Sequence, residues 1–342
     1  MLIERGENLE EVGKVITLPE GTYVSSGWID LHTHAFPKFK PYCAVPDDIG
    51  YKTGVATVID AGSSGADDFE EFLDYANRSK TKVLSFLNVS RIGLAVSNEL
   101  TDLTNIHKES IIKTVRKYPD TIVGLKVRMS KSVIGDSGIS PLIEAKKIAR
   151  ELDLPIMVHI GNAPPKLADI LPLIDAGDIV THCFNEKPNN HIFYEDGENL
   201  RTLKEAVDRG VYLDIIHGSS SFSFDIARRA KEEGISFDSI STDIYEGNQE
   251  KGPVFNLATT LTKFLALGFS LEELLPMVTT NPAKILKRDH LGEAKLGEEV
   301  DLTFFQVKDQ PFTLKDSLGN ELISSRQIVP YAVYLGGEFH DL

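Results

Sequence analysis

Eight short apolar runs, alternating with amphipathic segments, constrain this chain more than any other feature of its sequence. The runs are WIDLH at 28–32, VATVIDA at 55–61, KVLSFLNVS at 82–90 and TIVGLKVRM at 121–129, then LPIMVHIG at 154–161, DIVTHCFN at 178–185, VYLDIIHG at 211–218 and ISFDSISTD at 235–243. They are rich in Val, Ile and Phe, and most lack the polar alternation of a half-exposed strand, which is how strands buried on both faces read. The segments between them follow a helical period. In 67–80, Phe69, Phe72, Leu73 and Ala76 share one face, and 106–118, 140–153 and 224–234 obey the same rule. Ser140-Pro141 places a cap residue before a first-turn proline, and Gly234 supplies a stop. This alternation is the rhythm of an α/β protein built as a (β/α)8 TIM barrel. An open doubly wound sheet also alternates, but no Gly-x-Gly-x-x-Gly follows the first run.

Past the eighth run the pattern changes. Residues 256–268 read as a helix, and Ser270 to Glu273 as a capping box opening another. From Leu291 the chain turns glycine-rich and β-like, in LGEAKLGEEVDLTFFQV and QIVPYAVYLGGEF. The residues before the first run have no helical period, so both chain ends are expected to meet in a small β-sandwich domain. The expected division is 26–283 for the barrel, and 1–25 with 284–342 for the sandwich.

In a strand, side chains two apart face the same way, so His32 and His34 of GWIDLHTHAFP point together. They fall at a strand's C-terminal end, the face where barrels carry their active sites. Two neutral imidazoles side by side can chelate a metal, although one His-x-His pair alone is weak evidence. Four further runs then place a ligand-capable residue at the same end: Lys126, His159, His182 and Asp243. Taken singly, each has a plainer reading. A strand-end histidine is more often a hydrogen-bonded core residue, Lys126 could pair with a carboxylate, and Asp243 could cap a turn. Burying an unpaired charge costs several kcal/mol, and the coincidence of six such residues at one rim favours a metal site. Arg128 shares the parity of Lys126 and is expected to hold a substrate carboxylate, with an ion pair to a nearby acid as the alternative. Asn162 and Ser219 are expected in the pocket wall. His217 ends the seventh run in either a pocket or a structural role. Cys183 should point away from His182, into the helical layer.

The stretches GWIDLHTH, GLKVRMS, MVHIGNAPP, THCFN and SISTDIY resemble the amidohydrolase superfamily of metal-dependent hydrolases. Within it they look like the amidohydrolase/deacetylase branch, whose members carry dihydroorotase-like, D-aminoacylase-like and adenine-deaminase-like labels. LGEAKLGEEVDLTFF is similar to that family's return to its β-sandwich, so the resemblance covers almost the whole chain. Family members usually begin with additional strands before the segment matching Gly21 to Val24. The sandwich is therefore expected to be incomplete at its N-terminus, or the start codon misassigned.

The resemblance implies two divalent metal ions, zinc being the expected one. His32, His34 and Asp243 would hold one ion, His159 and His182 the other. Lys126 would bridge both as a carbamate formed with carbon dioxide. A metal-bridging hydroxide would be the nucleophile, with Asp243 as proton shuttle to the leaving nitrogen. The implied activity is a binuclear amidohydrolase (EC 3.5 type) acting on non-peptide C–N bonds, as an N-acyl amino acid deacetylase or cyclic amidase. Ester hydrolysis of acylated hydroxy acids and deamination of a purine such as adenine are the alternatives. A non-catalytic scaffold relative is the alternative of another class, and a dehydrogenase barrel is disfavoured because no cofactor motif is recognisable.

Composition narrows the partners. The net charge of −15, from 36 basic against 51 acidic side chains, speaks against nucleic acid. No apolar run approaches the roughly 18 residues of a membrane helix, and the first five residues are not a secretory signal. Cys43 and Cys183 are too few for a disulfide framework, which points to the cytoplasm. A small, carboxylated substrate is expected, and a homo-oligomer is compatible with the charge.

Overall fold

The computed structural model describes residues 15–194, 197–295 and 298–342. All eight runs form strands: β2 (Trp28–Thr33), β3 (Val55–Ala61), β4 (Lys82–Asn88), β5 (Ile122–Met129), β6 (Ile156–Ile160), β7 (Ile179–Thr181), β8 (Tyr212–Ile216) and β9 (Ser239–Ser241). They pair in parallel in sequence order, and a parallel bridge from Thr33 to Ile244 joins the last strand's exit to the first. The chain is therefore an α/β TIM barrel. Alternation along the strands sorts the apolar side chains into two layers. Ile59, Leu84, Phe86, Met157 and Ile179 share one cluster with Ala283, Ile285 and Leu291. Their neighbours Val58, Val83, Leu87, Val158 and Val180 join the larger cluster packed against the helices. Both faces of each strand are buried, which is why the runs are continuously apolar.

The expected helices appear at Phe69–Arg78, Lys108–Lys117, Ser140–Leu152, Phe224–Glu232 and Leu257–Ala266. Ser140 is a correction: Ile139 occupies the cap position and Ser140 is already helical, while Pro141 keeps its first-turn place. Ser270 forms its capping box as expected, opening a helix of only four residues, Leu271–Leu274. The helix Glu198–Asp208 was not foreseen, because Asn199 and Thr202 stand on its buried face beside Leu203 and Ala206 and blur the apolar period.

Both ends of the chain enter a small antiparallel sheet, ordered β1 (Thr22–Ser26), β10 (Leu302–Lys315), β11 (Glu321–Leu335) and β12 (Glu338–Asp341). Residues 1–14 of the expected N-terminal contribution lie outside the described residues, as do 296–297. The sheet is fastened to the barrel where the Trp28 N–H donates to Thr303 Oγ1 at 3.0 Å and the Trp28 and Phe305 rings meet at 5.3 Å. The helix Thr280–Ile285 runs across the expected boundary at 283, and its Ala283 and Ile285 pack in one cluster with Ile29 and Leu31. We therefore propose that the barrel extends past Leu291. Among the described residues no helix is long and apolar enough to cross a membrane.

Candidate metal centre

A cavity of about 200 Å³ opens at the C-terminal ends of the strands, and His32, His34, Lys126, His159, His182 and Asp243 all line it. Two of the six are aimed by unusual backbone. His182 follows β7 at φ 73°, and Asp243 lies two residues past β9 at φ 53°. Left-handed conformations of non-glycine residues cost about 1–3 kcal/mol and persist only where neighbours over-determine them. Here side-chain amides do so: Asn185 Nδ2 donates to the His182 carbonyl at 2.7 Å, and Asn248 Nδ2 to that of Asp243 at 2.9 Å. The Asp243 N–H also donates to the His32 carbonyl at 2.7 Å, tying β2 to the exit of β9. Gly218, at φ +55°, leaves room for this carboxylate, since a Cβ there would lie 2.7 Å from Asp243 Oδ2.

The imidazole edges are set from behind. Thr181 donates its one hydroxyl proton to Asp214 Oδ2 at 2.9 Å, so its oxygen accepts from His32 Nδ1, 3.1 Å away. That leaves His32 Nε2 without a proton and facing the cavity. Asp214 is itself held by the hydroxyls of Ser239 and Ser241, at 2.8 and 2.7 Å. His34 Nδ1 meets Ser63 Oγ at 2.9 Å, and the Ser63 N–H donates to Asp60 Oδ1 at 2.7 Å. His182 Nδ1 lies 2.8 Å from Ser221 Oγ, and its ring stacks on His159 with centroids 3.9 Å apart. Hydroxyls behind the histidines and free edges in front are the arrangement that metal-binding imidazoles require.

The inward atoms converge. Asp243 Oδ1 lies 3.0 Å from His34 Nε2 and 3.5 Å from His32 Nε2, and Lys126 Nζ lies 3.2 Å from the latter. His32, His34 and Asp243 form a group whose ligand atoms all fall within 4.8 Å of one another. Burial pushes the His32 imidazole down to about 4, with the Lys126 charge adding to it, and holds His159 and His182 well below the usual histidine range. All three are thus in the neutral form that binds metals. Burial also pushes the Lys126 amine down to about 7, against the carboxylates of Asp243 and Asp214. For Asp243 burial works upward, but the hydrogen bond to His34 and the neighbouring imidazoles outweigh it and hold the carboxyl below its ordinary range. Neutral imidazole nitrogens and carboxylate oxygens at this spacing fit a borderline divalent cation such as zinc.

Arg128, Asn162 and Ser219 also line the cavity. For Arg128 the structure shows the ion-pair alternative: Nη1 donates to both oxygens of Glu99, at 3.1 and 3.0 Å, and Glu99 is completely buried. Ser219 Oγ lies 2.8 Å from the Tyr245 hydroxyl, and Tyr42 and Tyr245 pack edge to face in the same wall. Sequence reasoning missed Glu99, Lys187, Tyr42 and Tyr245, which sit in loops without period. Asp214 carried a signal that went unread, an acid in the middle of the apolar run VYLDIIHG. Cys183 is buried in the strand–helix layer, on the side expected.

His217 is a correction, for it is not among the residues lining the cavity. Its Nδ1 faces the Gly218 carbonyl at 2.8 Å and its Nε2 faces the fully buried Lys263 Nζ at 2.7 Å. Burial, against the opposing charge of Asp316, pushes the Lys263 amine from 10.5 down to about 7. Between those values the unfolded chain binds the extra proton, so this site's contribution to stability falls as pH drops from about 10.5 and levels off below about 7. Lys263→Met should remove that slope. Urea titrations at pH 7 and pH 10 should show the wild type gaining on the variant at the higher pH, and equal differences at both would refute the neutral amine.

Residues 23–324 match the amidohydrolase family. A deacetylase of Enterococcus faecalis is 43% identical over 329 residues, covering 96% of this chain and 89% of the relative. A crystal structure of an adenine deaminase superposes with a TM-score of 0.91 at 43% identity, over 95% of this chain and 89% of that one. A crystal structure of a dihydroorotase gives 0.86 at 34% identity, over 93% and 88%.

Proposed function

The chain belongs to the amidohydrolase family, and on that premise we propose a metal-dependent hydrolase of non-peptide carbon–nitrogen bonds, of the N-acyl amino acid deacetylase or cyclic amidase type. The observation that carries this reading is the meeting of six side chains at one cavity, with the Nε2 edges of His32 and His34 turned onto Asp243 Oδ1. The relative named deacetylase supports the substrate class.

His32, His34 and Asp243 would hold one ion, and His159 and His182 a second. Lys126 stands beside His32 and would serve both. Its Nζ lone pair would add to carbon dioxide and lose a proton, replacing an ammonium that repels cations with an anionic oxygen donor. The bound ions would supply Lewis acidity, polarising the scissile carbonyl and acidifying water near neutral pH. Asp243 takes the proton at Oδ2, beside Gly218, while Oδ1 faces the two imidazoles. The same carboxyl then delivers the proton to the leaving nitrogen. Asn162 and Ser219 offer hydrogen bonds to the substrate from the loops after β6 and β8.

Thr181→Val would cut the link between His32 Nδ1 and Asp214 while preserving shape. The expected effect is a roughly 10- to 100-fold weaker metal affinity. Chelator competition reads this directly, and undiminished affinity would remove the tautomer argument.

The reading is tested by assaying zinc- or manganese-loaded protein on N-acetylated D- and L-amino acids, acyl hydroxy acids, dihydroorotate and adenine. Metal-dependent release of acetate from the N-acetyl compounds is expected. Purine deamination is the second reading, favoured by the name of one structural neighbour. Turnover of adenine alone would establish it instead, and a metal-free, inert protein would favour a scaffold.

A further inference from the structure

We propose that Lys187, in the loop after β7, is the anchor for a substrate carboxylate and sets the preference for acidic over neutral amides. Lys187 is half-buried and lines the cavity with the six ligand residues. Among the described residues no carboxylate pairs with it, whereas Arg128 in the same wall is spent on the buried Glu99. Asp243 faces His32 and His34. Lys187 therefore brings to the cavity wall a positive charge that no described carboxylate pairs.

Its position is built rather than incidental. The Lys187 N–H donates to Asn185 Oδ1 at 2.9 Å, and its carbonyl accepts from the Asn190 N–H at 3.2 Å. Asn190 is buried, and its Nδ2 donates at 2.6 Å to the carbonyl of Gly161, in the loop that also carries Asn162. The segment carrying the ammonium is thus pinned to the neighbouring loop of the cavity. Partial burial strips water from this charge, no described carboxylate pairs with it, and an anion arriving with the substrate would supply a partner. Tyr42, Tyr245 and Leu94 line the same cavity and suit an apolar side group. The ligand class is a small amide carrying a free carboxylate, and this identity rests on the hydrolase reading above.

The test pairs an N-acetyl amino acid with its carboxamide, on the metal-loaded wild type and on Lys187→Met, Lys187→Arg and Arg128→Met. For Lys187→Met, KM for the carboxylate should rise roughly 10- to 100-fold with kcat nearly unchanged, and the carboxamide should be unaffected. Lys187→Arg should recover most of that loss. Arg128→Met should harm both compounds alike, because it strands a buried carboxylate. Equal effects of Lys187→Met on the two compounds would overturn the assignment. If the wild type hydrolyses neither, the substrate reading fails, and the intact compounds become ligands for calorimetry. Tighter binding of the carboxylate, lost in Lys187→Met, would still sustain Lys187 as the anchor. Equal binding, or none, would end it.

Discussion

Lys126→Ala is expected to lower hydrolysis by about 1,000-fold or more and to remove any response to bicarbonate. The loss of several kcal/mol of charge stabilisation at the reacting carbonyl corresponds to that factor. The amine is fully buried on β5, three residues before that strand ends, its Nζ 3.2 Å from His32 Nε2. No carboxylate lies within ion-pair distance of it among the described residues, so an ion pair does not explain its burial. Alanine should fold well, because the substitution deletes a buried polar group rather than stranding one. The fold is checked by circular dichroism, which separates lost chemistry from lost structure. Wild-type protein stripped of metal and carbon dioxide should regain activity only when both are restored, and the variant should regain none. Unchanged turnover in Lys126→Ala would eliminate the bridging role.

Asp243→Asn should lower kcat by roughly 100- to 10,000-fold, the range of a lost general base. Asparagine is the conservative probe here for a backbone reason as well as a chemical one. Residue 243 sits at φ 53°, a conformation that asparagine tolerates well, so the turn should survive. The amide keeps one oxygen for the imidazole side but cannot carry the proton at the second position. Metal content and kcat measured together separate the two duties. A variant that keeps its metals and loses turnover isolates the proton transfer, and one that loses both shows that ligation dominates. Full activity would contradict both roles.

The barrel was legible in the sequence because strands covered on both faces leave uninterrupted apolar runs. The same rule singled out the candidate ligands: Lys126, His159, His182 and Asp243 are polar residues within such runs, the last two just past the ends of β7 and β9. The last two were legible as residue types but not as conformations, since nothing in THCFN or SISTDIY announces a left-handed backbone. Arg128 lines the cavity, and of its two readings the ion pair is the one seen; its partner could not be named in advance, because Glu99 comes from a loop whose path no periodicity reports. His217 shows the limit of parity. Its ring belongs to a buried contact with Lys263, contributed by a distant helix, which no local pattern could reveal. Lys187 was invisible for the converse reason, as one exposed-looking lysine among many until the loops were seen in place.

The proposed centre holds two divalent ions on six side chains, and metal stoichiometry tests it most directly. Plasma mass spectrometry of protein prepared with zinc and bicarbonate should find two ions per chain. The count should fall in His34→Ala and in His159→Ala, by one ion or more in each. A folded wild-type chain that takes up none, or whose metal content is indifferent to both substitutions, would contradict the proposed centre.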